Sequence, residues 1–406
     1  MVDFTLTEEQ RALQELARDF ARRAILPAAA ERDRMTDPAA RFPWDVLESA
    51  SRHGLRTLRV PRDLGGAGAD TVTLCVVGEE LAAGDLGVAV TLDQTWKISH
   101  LIYHLAKPAP RERLLRDFVT DHRFHLAIAM TEPGSGSDRY AYFTAPDSQL
   151  KTAARRANGG WVLNGVKHFI SNGGIARLYV VYANTDPDKG LWHGSTMFLV
   201  PAGTPGFRIG RIHEKVGQRL AQNAELIFED CWLPEEQVLG EGHRAFEARG
   251  AFTRGSHVEA GATVLGVGRA AYEAALEWAN ARVQGGRRII EHQAVGMMLA
   301  DMAMQIEAAR ALIWKAAWAA DHQEPYDAKL ASMAKVFASE VAHRVTVQAA
   351  ELFGGMGIMA EAPVEKYVRD AFTFLHSDGT NQIHRVRMGR QLDRQGAPVP
   401  TYAAVV

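Results

Sequence analysis

The hydrophobic positions change their period twice along the 406-residue chain. From residue 5 to about 124 they recur at helical spacing. Leu13, Leu16, Ala17, Phe20 and Ala21 keep one apolar face through Arg23. Thr7 is placed to cap this first helix, with Gln10 completing a capping box, and Pro27 falls near its end. Further helices are predicted over 43–54, 71–84, 87–106 and 110–119, divided by turns such as Gly65-Gly-Ala-Gly68. From about 125 to 238 the pattern is that of short strands. Trp161-Val-Leu163 stops at Asn164-Gly165, a strong two-residue hairpin signal. Leu178–Ala183, Thr196–Val200, Phe207–Ile209 and Glu225–Phe228 extend the series between Asp-Pro and Pro-Gly turns. From about 239 the helical period returns in long Ala-rich stretches: Ala260–Arg282, Glu291–His322, Tyr326–Glu351 and Glu361–Asp370. The expected architecture is α+β: an N-terminal helical domain (1–124), a small central antiparallel β-barrel or sandwich (125–238) and a C-terminal four-helix-type bundle (239–406). Ligands favour the clefts where such units meet.

Composition narrows the function. Hydrophobic residues at 47% and charged residues at 23% describe an ordinary globular protein and exclude a disordered, collagenous or coiled-coil chain. The 46 basic and 48 acidic side chains nearly cancel, so neither nucleic acid nor an anionic membrane is an expected partner. Cys75 and Cys231 stand alone, and the histidines form no ligand set, so no disulfide or metal site is expected. The first residues read as an acid-rich helix start, and no apolar stretch reaches the roughly 18 to 20 residues of a membrane span. A cytoplasmic location is the expectation.

Three stretches carry candidate chemistry. Ala129-Met-Thr-Glu-Pro-Gly-Ser-Gly-Ser-Asp138 is a strand end running into a Gly-rich turn. There Gly134 and Gly136 let backbone N–H groups approach a ligand, while Thr131 and Ser137 add hydroxyls. The second stretch is Val166-Lys-His-Phe-Ile-Ser-Asn-Gly-Gly174. The third is Leu352-Phe-Gly-Gly-Met-Gly357, followed by Asp370 and Ser377-Asp-Gly-Thr-Asn-Gln-Ile-His384. Each alone is also ordinary turn or helix-stop chemistry.

In order and in register, these stretches resemble the acyl-CoA dehydrogenase superfamily of flavoproteins. Val216-Gly-Gln-Arg219, Phe228-Glu-Asp and Glu291-His-Gln-Ala are lesser echoes, so the resemblance spans essentially the whole chain. It implies a helical–β-barrel–helical fold, FAD as cofactor and an acyl-CoA substrate. It also implies electron-transferring flavoprotein or a similar acceptor, and a homotetramer built as a dimer of dimers. For the flavin ring it points to Met130, Thr131, Gly136, Ser137, Phe169 and Ser171, with Phe169 and Ser171 standing where Trp and Thr are commoner. For the adenine dinucleotide it points to Arg282, Gln284 and Gln293, reaching a neighbouring subunit's cofactor, and to Glu351, Gly355, Thr380 and Gln382. Gly285 replaces a usual aromatic and Glu351 a usual Gln. The family's base is Glu before Gly-Thr; here it is Asp378 before Gly379, one methylene shorter. Asp93 falls on the helix that lines the family's acyl pocket. The family includes enzymes for alicyclic acyl-CoAs in which a pocket aspartate takes part in the chemistry. Asp93 is therefore a second catalytic candidate that would face a ring-shaped acyl group with Asp378, or it pairs with Lys97 one helical turn on. Arg254 and His257 stand where the family contacts CoA, so the substrate set is Ser137, Asp93, Arg254, His257, Asp378 and Gly379. The expected reaction is dehydrogenation of a short, branched or alicyclic acyl-CoA to the enoyl-CoA. The alternatives are altered chemistry on the same fold (nitroalkane oxidase-like, monooxygenase or lyase) and a flavin-poor partner subunit.

Overall fold

The computed structural model describes residues 4–137, 149–252 and 254–392. The first part is helical: α1 (Glu8–Phe20), α2 (Leu26–Arg32), α3 (Pro38–Arg41), α4 (Trp44–Arg52), α5 (Thr71–Gly84), α6 (Leu86–Leu105) and α7 (Pro108–Thr120). Thr7 and Gln10 form the expected capping box: Gln10 N–H donates to Thr7 Oγ1 at 3.2 Å and Thr7 N–H to Gln10 Oε1 at 3.0 Å. The helix does not end at Pro27, as its sequence suggests. A wide π turn over Ala21–Ile25 lies between α1 and α2 and places Pro27 in the first turn of α2, where a missing N–H and a fixed φ are harmless.

The middle part contains β1 (His125–Ala129), β2 (Ala153–Ala157), β3 (Gly160–Ser171), β4 (Ala176–Asn184), the short helix α8 (Gly190–His193), β5 (Ser195–Pro201), β6 (Phe207–Ile212), β7 (Asn223–Pro234) and β8 (Val238–Leu239). The sheet order is β6-β7-β3-β2-β4-β5-β8, with β1 also on β4. It is mixed rather than wholly antiparallel, because β1 and β2 both run parallel to β4.

The hairpin turn between β2 and β3 is Asn158-Gly159, both at positive φ. Asn164-Gly165, the stronger signal in the sequence, instead sits inside β3 as a bulge: Leu163 pairs Cys231 while Gly165 pairs Phe228. Gly165 has φ +143°, and a Cβ there would lie 2.5 Å from Thr152 Cα. Gly165→Ala should therefore lower stability by about 2 kcal/mol or more. Gly159→Ala, whose Cβ meets nothing within 4 Å, should cost only about 1 kcal/mol. Denaturant midpoints of the two variants check this, and equal midpoints would refute it.

The last part is α9 (Ala245–Phe252), α10 (Ser256–Ala281), the ribbon β9 (Val283–Gln284) and β10 (Arg287–Arg288), α11 (Gln293–His322), α12 (Lys329–Phe353), α13 (Val364–Phe374) and α14 (Asn381–Leu392). α9 and α14 are absent from the sequence-based prediction. One apolar core joins the two helical parts: Leu74 and Leu81 of α5 share it with Val264 and Leu265 of α10 and with Val341 of α12. The β part docks onto this body through Gln218, whose N–H donates to Asp370 Oδ1 at 2.6 Å and whose amide donates to Ser377 Oγ at 3.2 Å. Among the described residues no helix is long and apolar enough to cross a membrane.

Candidate active site

A cavity of about 700 Å³ opens where the helical body meets the sheet. α6 forms one wall with Val90, Gln94, Lys97, Ile98 and Leu101. Facing it are the Met130–Ser137 loop after β1, Phe169–Ser171 of β3 and residues 373–380, from the last turn of α13 to the start of α14.

The Gly-rich loop is anchored from below. Lys167 Nζ donates to Met130 O at 3.1 Å and to Glu132 Oε1 at 2.8 Å. Glu132 also accepts from the N–H groups of Lys151 and Thr152 at 2.7 and 2.9 Å. Both side chains of the Lys167–Glu132 pair are almost fully buried, 0% and 2% exposed. Burial alone would raise the Glu132 carboxyl, but the Lys167 ammonium and the two N–H donors hold it below the usual range. Gly136 borders the cavity with nothing within 4 Å of where its Cβ would sit, so this stretch presents bare backbone to a ligand. Asp138, the last residue of that sequence stretch, lies outside the described residues.

Phe169 sits on a bulge with φ +60°, a conformation costly for an aromatic residue. The bulge turns its ring outward: the side chain is 58% exposed at the cavity, stacked on His168 at 4.0 Å. Asn223 Nδ2 donates to Phe169 O and Ser171 Oγ, at 3.0 and 3.2 Å, fixing both residues. A flat aromatic face beside a hydroxyl and an open glycine backbone fits a planar, polar-edged ring such as isoalloxazine.

Asp378 enters from the opposite side. It has φ +52° and is followed by Gly379 at +85°. Backbone contacts hold the turn: His384 Nε2–H donates to Asp378 O at 2.9 Å, and buried Lys335 donates to Gly379 O at 2.9 Å and Asn381 Oδ1 at 2.7 Å. Burial pushes the His384 imidazole down to about 3, so it stays neutral. Thr380 caps α14, accepting from Ile383 N–H at 3.2 Å. The Asp378 carboxylate meets Lys97 Nζ at 3.0 Å and Gln94 Nε2 at 3.4 Å. Burial works to raise this carboxyl, but the Lys97 ammonium outweighs it and holds the group below its ordinary value.

Two expectations are corrected here. Asp93 does not share the cavity wall with Asp378. Its carboxyl is buried behind Lys97, 2.5 Å from Nζ, with Oδ1 left without a partner, so the pairing with Lys97 is what the structure shows. Burial pushes Asp93 up to about 8. Arg254 likewise leaves the cavity. It pairs with Glu324 and lies over the Tyr326 ring at 5.4 Å. His257 does line the cavity, edge-on to His384 at 4.6 Å, and burial drives its ring nitrogens far below their usual basicity.

The dinucleotide set is split. Thr380 reaches the cavity, whereas Gln382 is exposed on α14. Arg282, Gln284, Gln293, Glu351 and Gly355 are exposed at one end of the bundle. There Arg282 lies over Trp278, and Trp278 stacks on Phe353 at 4.6 Å. Lys97, Glu132, Lys167, Lys335 and His384 organise the site but were not singled out from sequence as site residues. Only the Asp93–Lys97 spacing signalled one of them.

Known proteins match this chain over nearly its whole length. Family models for the acyl-CoA dehydrogenase N-terminal, middle and C-terminal domains match residues 7–122, 127–231 and 240–392. An acyl-CoA dehydrogenase of Bacillus subtilis (strain 168) is 36% identical over 390 residues, covering 95% of this chain and 98% of that protein. The structure of butyryl-CoA dehydrogenase from Megasphaera elsdenii matches with a TM-score of 0.88 at 35% identity, covering 96% of this chain and 100% of that one. A structure of PigA with FAD and proline matches at TM-score 0.86 and 28% identity, over 97% and 100% of the two chains. The chain belongs to the acyl-CoA dehydrogenase family of FAD-dependent oxidoreductases that act on CH–CH groups.

Proposed function

We propose that this enzyme dehydrogenates a compact acyl-CoA, short, branched or alicyclic, to the α,β-enoyl-CoA, with Asp378 as the base. The observation that carries the reading is the placement of the Asp378 carboxylate across the cavity from the Gly136 backbone and the Phe169 ring. Met130, Thr131, Gly136, Ser137, Phe169 and Ser171 would hold the flavin ring, with Thr380 continuing the contact and Gln382 left to the dinucleotide outside the cavity. Bound FAD supplies the acceptor for the hydride that leaves the β-carbon. Asp378 takes the α-proton, so the thioester loses one proton and one hydride and gains a C=C bond. Gly379, whose carbonyl is fixed by Lys335, offers its N–H to the thioester carbonyl as enolate-like charge develops there. Ser137 and His257 border the same space.

Size and lining support this substrate class. A ligand cavity typically measures about 300–1,000 Å³, and about 700 Å³ must here serve flavin ring, thioester and acyl group together. Val90, Ile98 and Leu101 make the α6 wall apolar, with Gln94 and Lys97 beside Asp378. Butyryl-CoA and cyclohexanecarboxyl-CoA should therefore reduce the flavin in single-turnover experiments at least about tenfold faster than palmitoyl-CoA; the reverse order would refute the compact-pocket reading.

Arg282, Gln284, Gln293, Glu351 and Gly355 would reach the cofactor of a neighbouring copy in a dimer of dimers. Support comes from the apolar Met297 (69% exposed) and Ile358 (79%) beside them, which water would otherwise cover. Electron-transferring flavoprotein or a similar protein would accept the electrons.

A further inference from the structure

We propose that Lys97 is the positioning residue for Asp378: its ammonium, fixed from behind by Asp93, holds the short carboxylate at the cavity wall. The inference rests on reading Asp378 as the base. An aspartate is one methylene shorter than glutamate, and about 1 Å of misplacement can cost on the order of 100-fold in rate. Lys97 reaches across from α6 and joins Asp378 to the helix that lines the acyl cavity. One Nζ serves two carboxylates, Asp93 Oδ2 at 2.5 Å and Asp378 Oδ2 at 3.0 Å. The three side chains grade from sealed to accessible: Asp93 is 3% exposed, Lys97 9% and Asp378 29%. The substrate side of the network is therefore Asp378, and the anchored side is Asp93.

The surrounding charges divide the labour. Asp93 and His100 flank Lys97 on α6; Glu259 and His257 approach from α10, and Arg59 from the segment before α5. Arg249 of α9 and Lys335 of α12 act on Asp378. Burial raises the carboxyls of Asp93, to about 8, and of Glu259, and it holds His100 and His257 far below their usual basicity. Of the two carboxylates that Lys97 Nζ touches, Asp378 is the one that lines the cavity. Asp93 serves as an acceptor that orients the ammonium.

The test uses the FAD-loaded enzyme with Lys97→Met, and with Lys97→Met combined with Asp93→Asn so that no buried carboxylate is stranded. The Asp378 titration is read from ¹³C-aspartate NMR, as the difference from Asp378→Asn. The pH profile of flavin reduction by butyryl-CoA is read alongside it. An opposite charge at this separation lowers a carboxyl by about 1–3 units. Both the NMR titration and the acidic limb of the rate should therefore move up by about 1–3 pH units, with kcat falling more than KM changes and FAD content unaltered. An Asp378 titration unmoved in the double variant overturns the Lys97 assignment. Full-rate bleaching by Asp378→Asn overturns the base reading beneath it, and the NMR result tells the two failures apart.

Discussion

Replacing Asp378 by Asn is expected to leave a yellow, folded protein whose flavin is bleached by acyl-CoA about 10²–10⁴ times more slowly than in the parent, the range for loss of a general base. The turn survives because His384 and Lys335 hold the carbonyls of residues 378 and 379 and not the carboxylate, and Asn tolerates the positive φ as readily as Asp. The Phe169 and Gly136 side of the cavity lies on other elements, so FAD content should match the parent's. The parent's pH dependence has a defined sign. The Asp378 carboxyl is held below its ordinary value, so the base is ionised at neutral pH and activity falls only as the pH drops through that lowered value. Rapid-mixing spectroscopy of Asp378→Asn checks this, and bleaching within a factor of about three of the parent would remove Asp378 from the chemistry.

Lys167→Met should produce the largest loss of stability. It leaves the Glu132 carboxylate buried beneath the Gly-rich loop without its cation, and breaking a buried pair from one side costs about 3–5 kcal/mol. The pH dependence again has a sign. In the parent, the Glu132 folded-state value is depressed, so its contribution is present above the unfolded carboxyl value and lost as pH falls through the folded one. In the variant burial acts unopposed by Lys167, the folded value rises, and the deficit shrinks as acid protonates Glu132. FAD should also be lost on gel filtration, because Met130 and Thr131 hang on the same anchor: Lys167 Nζ holds Met130 O, and His168 N–H holds Thr131 O at 2.8 Å. Urea unfolding across pH reads both effects. A deficit below about 1 kcal/mol that is flat with pH would show that the pair is dispensable.

How much of this was legible in the sequence depends on how local each cause is. The Thr7–Gln10 box spans four residues and was readable as such. The strand runs at 178–183 and 196–200 were equally plain, because β-branched and aromatic residues lie between turn residues. Asn164-Gly165 misled because the dipeptide suits a bulge as well as a turn, and the choice is made by Thr152, just before β2, and by Cys231 on β7. Pro27 misled because a π turn one step upstream removes its usual penalty. The stretches 129–138, 166–174 and 377–384 carried the family resemblance, and the cavity gathers Met130, Phe169 and Asp378 from them. What joins them was hidden. Lys97 meets a carboxylate 281 residues away, Lys167 meets one 35 residues away, and Lys335 looks like a stray charge in an Ala-rich helix until Gly379 is seen above it. Asp93 illustrates the same limit. Its spacing to Lys97 was visible, but its depth behind Lys97 is a tertiary fact.

The central claim is that this chain removes a proton and a hydride from an acyl-CoA. The most direct measurement mixes the purified yellow protein anaerobically with one equivalent of butyryl-CoA and follows flavin absorbance and thioester mass together. The expected result is loss of the flavin colour with formation of an equal amount of thioester lighter by two hydrogens. Butyryl-CoA recovered unchanged from a protein that keeps its colour, with cyclohexanecarboxyl-CoA behaving the same way, would contradict the account.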